Sequence, residues 1–164
     1  MKRLIAAAAG ILMLATGCSD IDEARVGPTP TCSTTSRGTQ LLIAQAVPTA
    51  QAIPCIGRLP DGWVYDAADI EVGEATLVFA NPGVGDVTIE LTAECAASGT
   101  LTDSPFPAAV ASIDMADSVE RRFHVMADAC VTVESPPRLA ASEMTRQISY
   151  VSREELRQSS DLDI

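Results

Sequence analysis

The amino-acid sequence predicts an α+β domain: a mostly antiparallel sheet of about four to six strands with two or three short helices, stapled by disulfides. Three observations predict it. Residues Gly85–Ala93 alternate, with Val87, Ile89 and Leu91 on one face and Thr88, Glu90 and Thr92 on the other, the pattern of a half-buried strand. Asn81-Pro82-Gly83 separates that run from the apolar run Ala75–Ala80 by a short turn, which pairs the two as antiparallel neighbours. Cys32, Cys55, Cys95 and Cys130 are an even set of four, suited to two disulfides in an exported chain.

Taken in order, the elements begin near Thr39. Residues 39–47 form a short helical run with Thr39 as candidate N-cap, halted by Pro48. Residues 54–62, PCIGRLPDG, are turn material. Trp63–Tyr65 and Ile70–Val72 are short strand candidates, followed by the hairpin around Asn81. Residues 97–118 have no readable period, because Gly99, Pro105 and Pro107 interrupt it. Val119–Met126 is a strand that puts Arg121, Phe123 and Val125 opposite Arg122, His124 and Met126. Ala127–Ala129 turns it back into a strand over Cys130–Glu134. Ser135 is a candidate cap for a helix over Pro136–Gln147, since proline is tolerated in a first turn. Ile148–Val151 is a candidate last strand, and Ser152-Arg153-Glu154-Glu155 is a capping box opening a short helix.

Composition narrows the function. The chain has 164 residues, 22 Asp and Glu against 11 Lys and Arg, and a net charge of −11, with 47% hydrophobic residues. That much apolar surface supports a packed core rather than a disordered acidic tail. With only 4% aromatic residues, the core rests on Val, Ile, Leu, Met and Ala. The acidity argues against nucleic acid, whose binding needs clustered Lys and Arg; beyond the amino terminus the one adjacent basic pair is Arg121-Arg122. It argues equally against direct adhesion to anionic lipid.

The amino terminus carries an address. Lys2 and Arg3 precede an uncharged apolar run from Leu4 to Ala15, then Ala15-Thr16-Gly17-Cys18, which is the layout of a secretory signal peptide. The last four residues resemble the lipobox of bacterial lipoproteins, with Ala15 where Leu is commonest. The resemblance implies cleavage before Cys18, lipidation of its sulfur and acylation of the new amino terminus. It also implies an anchor in the cell membrane or outer membrane on the extracytoplasmic side. More than one acyl chain gives stable anchoring. The expected organisation is a signal peptide over 1–17, lipidated Cys18 and a tether over 18–38, one domain over 39–160, and an acidic tail over 161–164.

With Cys18 assigned to lipid, the remaining cysteines allow three connectivities. The hairpin order favours Cys32–Cys55 with Cys95–Cys130. Residues 41–48 (LLIAQAVP), 53–56 (IPCI) and 59–63 (LPDGW) are similar to a run near the start of the mature domain of uncharacterised actinobacterial envelope proteins. That resemblance supports location and fold and implies no activity.

Few residues carry chemistry. There is no G-x-S-x-G, H-E-x-x-H, G-x-G-x-x-G or Walker A sequence, and no C-x-x-C. His124 is the one histidine; in an alternating strand it is more often a core-rim residue than a base or ligand. Asp61, Asp66, Asp69, Glu71 and Glu74 do not have EF-hand spacing and read better as solvated turn and strand faces than as a calcium site. Trp63 and Tyr65 are either an anchor beneath the sheet or an exposed contact for a partner. The expected function is a lipid-anchored, non-catalytic binding module of the cell envelope with no metal or cofactor. Its partner would be another envelope protein or a cell-wall component, met through Trp63, Tyr65, Arg121 and Arg122 or through strand addition at a sheet edge. The alternative is an enzyme or small-ligand domain without a linear motif, using carboxylates and His124. A pocket lined by His124 and acids would favour the alternative, and an exposed apolar patch around Trp63 would favour the module.

Overall fold

A computed structural model describes residues 28–33, 37–95, 102–103, 110–116 and 119–160. Among these residues lie three helices and nine strands: α1 (Gly38–Ala46), β1 (Ala52–Ile56), β2 (Val64–Glu71), β3 (Glu74–Asn81), β4 (Gly85–Thr92), β5 (Thr102–Asp103), β6 (Val110–Ala116), β7 (Val119–Val125), β8 (Cys130–Ser135), α2 (Leu139–Thr145), β9 (Ile148–Ser152) and α3 (Arg153–Ser160). Seven strands form one sheet in the order β2-β3-β4-β8-β7-β6-β5, and β1 with β9 forms a separate ribbon. Every strand pairing is antiparallel. The large sheet is thus two meanders, β2-β3-β4 and β5-β6-β7-β8, joined where β4 meets β8. The α+β class is as the sequence predicts, with a larger sheet.

The period-2 patterning decides which face is covered. Register places Phe79 opposite Val87, Leu77 opposite Ile89 and Ala75 opposite Leu91, with Val133 and Val131 continuing the last two rows on β8. All of these side chains are buried, and Ile43, Val47, Ile53, Ile56, Met144, Ile148 and Leu156 pack over them from α1, the ribbon, α2 and α3. Burial of each large aliphatic or aromatic side chain contributes about 1.5–3 kcal/mol. The opposite face carries Thr76, Thr88, Glu90, Thr132 and Glu134, all half-buried, as expected of a sheet face open to water.

Several local expectations change. Trp63–Tyr65 and Ile70–Val72 belong to one strand, β2, running Val64–Glu71 with a register shift between Tyr65 and Ala67 that accommodates Asp66; Trp63 and Val72 flank it. Pro54 sits inside β1 rather than in a turn. Proline is tolerated there because the ribbon has only two strands, so a missing N–H breaks no central ladder. Thr39 does not cap α1: the helix starts at Gly38 after Arg37, and the Thr39 hydroxyl donates to the Pro28 carbonyl at 3.2 Å. Ser135 does not cap α2, because it ends β8 opposite Glu120; the helix begins at Leu139 with Arg138 as its cap. The capping box does form: the Ser152 N–H donates to Glu155 Oε2 at 2.8 Å and the Glu155 N–H donates to Ser152 Oγ at 3.1 Å.

Both disulfides join the favoured pairs, Cys32–Cys55 and Cys95–Cys130, with Cα separations of 5.0 Å. Around the first, the Ile56 N–H donates to the Pro30 carbonyl at 2.8 Å and the Cys32 N–H to the Ile56 carbonyl at 3.0 Å. Gln40 Nε2 also donates to the Thr31 carbonyl at 2.6 Å. The packed domain therefore reaches upstream of Thr39 to at least Pro30.

Candidate functional site

Strand β2 is the outermost long strand of the seven-stranded sheet; β5, at the other edge, is two residues long. Among the described strands its partner is β3, so the opposite row of N–H and C=O groups faces outward from the sheet. Among the described residues, no backbone hydrogen bond from outside the sheet reaches residues 66–71. Two glycines frame the strand. Gly62 (φ +81°) ends the Pro60–Gly62 turn that delivers Trp63, and Gly73 (φ +95°) closes the hairpin to β3, where its N–H donates to the Ala46 carbonyl at the end of α1.

The two faces of β2 differ in chemistry. Register places Tyr65, Ala68 and Ile70 in the rows of Phe79, Leu77 and Ala75, on the covered face. All three are half-buried and pack against the core from its rim, and the Tyr65 ring lies 5.5 Å from that of Phe79. Ala67, Asp69 and Glu71 occupy the other face, with Glu74 directly opposite Glu71 and Asp66 exposed at the bulge. Val64 and Val72, at the two ends of the strand, are among the most exposed large hydrophobic residues described. The edge thus joins an outward-facing row of backbone groups, an apolar rim and a row of carboxylates.

The residues singled out from the sequence scatter. Trp63 is 5% exposed and belongs to the core cluster, so its ring anchors the start of β2 from below and offers no contact surface. Tyr65 shares the rim of the edge just described. Arg121 and Arg122 alternate to opposite faces of β7: Arg121 pairs with Glu134 on the open face, and Arg122 Nε donates to Glu120 Oε1 at 2.6 Å on the covered face. They form no joint basic patch. Cys18 lies outside the described residues.

His124 is 9% exposed, with its ring centroid 6.2 Å from that of Tyr150 on β9. Burial first, and then the charge of Arg122, lowers its pKa, so the imidazole is neutral at pH 7. On the open face, burial and the neighbouring Glu74 and Glu134 raise the pKa of Glu90, partly offset by Arg121.

Among the described residues, two hollows of mixed polar and apolar lining open on the surface. One of about 300 Å³ is lined by Arg58, Pro60, Asp61, Glu143 and Gln147; another of about 250 Å³ lies between Asp86, Thr88, Val119 and Glu134. His124 lines neither, so neither has the lining that the enzymatic alternative requires. No cluster of His, Cys, Asp and Glu among the described residues is arranged to hold a metal ion. No described helix is long and apolar enough to cross a membrane.

Asp66, Asp69 and Glu71 read from the sequence as solvated faces, and the structure places them on an edge. What the sequence does not signal is that β2 ends the order of the described sheet, because edge position is a property of topology. No protein-family model, curated protein or solved structure matches the chain.

Proposed function

We propose that this chain is a lipid-anchored extracytoplasmic protein whose domain is a non-catalytic binding module of the cell envelope, engaging a partner along the β2 edge. The observation that carries the reading is that edge: eight residues long, with its outer backbone groups turned away from the sheet. Backbone groups that face outward from a sheet edge can receive an added strand, and strand addition is a common mode of peptide recognition.

Two further features support the address. Both disulfides suit an oxidising compartment and are uncommon in reducing cytosol. The lipobox-like Ala15–Cys18 supplies a lipid attachment point, and Cys32 is pinned to β1 by its disulfide. Fourteen peptide steps separate Cys18 from Cys32, at most about 50 Å of chain. A domain on this leash works close to the bilayer.

Intact mass of the protein from its native membrane tests the address. The expected mass begins at Cys18 with acyl chains added, and four further cysteines alkylate only after reduction. An unlipidated mass, or thiols that alkylate without reduction, overturns it. For the edge, a photo-crosslinking amino acid at Asp69 in living cells is expected to join a discrete partner that the same group at Thr88 does not reach. Equal labelling from both positions refutes the edge as the binding site.

A further inference from the structure

We infer that the segment received by the β2 edge is an extended stretch of another protein in which apolar and cationic side chains alternate. This deepens the reading above and rests on it.

The argument is one of register and charge. Beyond the bulge, Ala67–Glu71 runs in unbroken register against Val78–Glu74, so five residues offer a regular template. A strand added there places its side chains alternately on the two faces, with opposed Cβ atoms about 4.5–5.5 Å apart. On one face it meets the half-buried rim of Ala68 and Ile70, with Tyr65 beyond, which apolar side chains would finish covering. On the other it meets Asp69 and Glu71, with Glu74 one strand further in and exposed Asp66 at the bulge. Lysine or arginine at those positions falls within ion-pair reach, and a chain of net charge −11 draws such a segment in from a distance.

The same charges discriminate. A second copy adding through its own β2 would oppose Asp69 and Glu71 with the same acids, and like charges directly opposite destabilise a pair. An acidic strand is rejected for the same reason. Acids and a bulge also blunt edges against unwanted association. The edge therefore refuses its own kind while remaining open to a strand of opposite charge.

The test uses the full chain with both disulfides intact and fluorescent heptapeptides alternating valine and lysine, followed by anisotropy. Four comparisons are read: glutamate in place of lysine, the same residues in two blocks rather than alternating, and two versions N-methylated at one or the other alternate set of amides. Expected are binding of the alternating basic peptide and at least tenfold weaker binding of the acidic and blocked ones. One N-methylated version, whose methyl groups face the protein, should also lose at least tenfold while the other binds normally. The paired variant Asp69→Lys and Glu71→Lys should reverse the charge preference.

Equal binding of the two N-methylated peptides, or of blocked and alternating ones, overturns the proposal, since plain charge attraction then accounts for the binding. No binding of the alternating basic peptide overturns it too. If Asp69 still crosslinks to a discrete partner in cells, the edge reading survives and only the partner chemistry is wrong; if it does not, both fall.

Discussion

Replacing Arg153 with Met should be among the most damaging single changes outside the hydrophobic core. Its guanidinium reaches back across the molecule to the end of α1. Nη2 donates to the carbonyls of Ala44 at 2.7 Å and Val47 at 2.8 Å, and Nε donates to that of Ala50 at 2.8 Å. The Ala44 and Val47 carbonyls are among those a helix end leaves without intrahelical donors, Ala50 follows in the turn beyond it, and all three residues are buried. Val47 has a second donor in the Ala50 N–H, whereas Ala44 and Ala50 accept from Arg153. A buried carbonyl left without a donor costs about 1–3 kcal/mol, so two cost about 3 kcal/mol. Loss of a cation at a helix C-terminus adds about 0.5 kcal/mol. The expected total is about 3.5 kcal/mol, or a fall in Tm of about 10 °C. Arg153→Lys keeps the charge but not the fork, and should lose about half as much. Urea unfolding followed by circular dichroism at pH 7 measures both. A Met variant costing under about 1 kcal/mol, or a Lys variant as stable as the parent, refutes the clamp.

Four other outcomes follow from the packing, the staples and the titrating groups. Phe79→Ala empties a fully buried site on β3, beneath α1 and the ribbon, and should cost about 3–5 kcal/mol by the same urea assay. Replacing Cys32 and Cys55 by Ser releases a loop of 23 residues and should cost about 3.4 kcal/mol by chain entropy; the Cys95 and Cys130 pair, with 35, should cost about 3.8 kcal/mol. His124 has a folded-state pKa below its unfolded value, so the unfolded chain takes up the proton first as pH falls. Stability should therefore decline from about pH 6.5 downward, and His124→Gln should flatten that decline in urea titrations between pH 7 and 5.5. Glu90 has a folded-state pKa above its unfolded value, so the native state holds its proton longer and ionisation costs stability as pH rises. Glu90→Gln should gain less than about 1 kcal/mol at pH 7, with the gain shrinking toward pH 4.

How far the sequence speaks depends on whether a signal is local. The alternation of Val87, Ile89 and Leu91 defines β4 because one buried face imposes period two, and these residues are fully buried. The Ser152–Glu155 box is legible because both of its hydrogen bonds span three residues. Asp66-Ala67-Ala68-Asp69 hides the middle of β2, since its residues have weak strand propensity and are held by pairing with β3. Strand β6 is hidden because Pro105 and Pro107, just upstream, break any periodic reading of residues 97–118. Half of the ribbon is hidden for a different reason: Ile148–Val151 reads as a strand by itself, whereas Ala52–Ile56, with Pro54 inside it, makes sense as one only beside β9. Trp63 could be read either way, because one aromatic residue after a turn does not say which side of the sheet it enters. The Arg153 clamp carries no local signal, as its partners lie more than 100 residues away.

The joining of the two ends of the domain has a consequence in time. Strand β1 has its strand partner in β9, and α1 is closed by Arg153 and by Arg37 Nη1 donating to the Glu155 carbonyl, a contact spanning 118 positions. By contrast β2, β3 and β4 pair through tight turns within about thirty residues. Contacts between near neighbours close quickly, and distant ones must wait for a large loop to be gathered. A chain emerging from its amino end can build the first meander early. Its first helix and strand then stay unfinished until residues 148–155 arrive, so the first elements of the domain to emerge are the last to be locked in place.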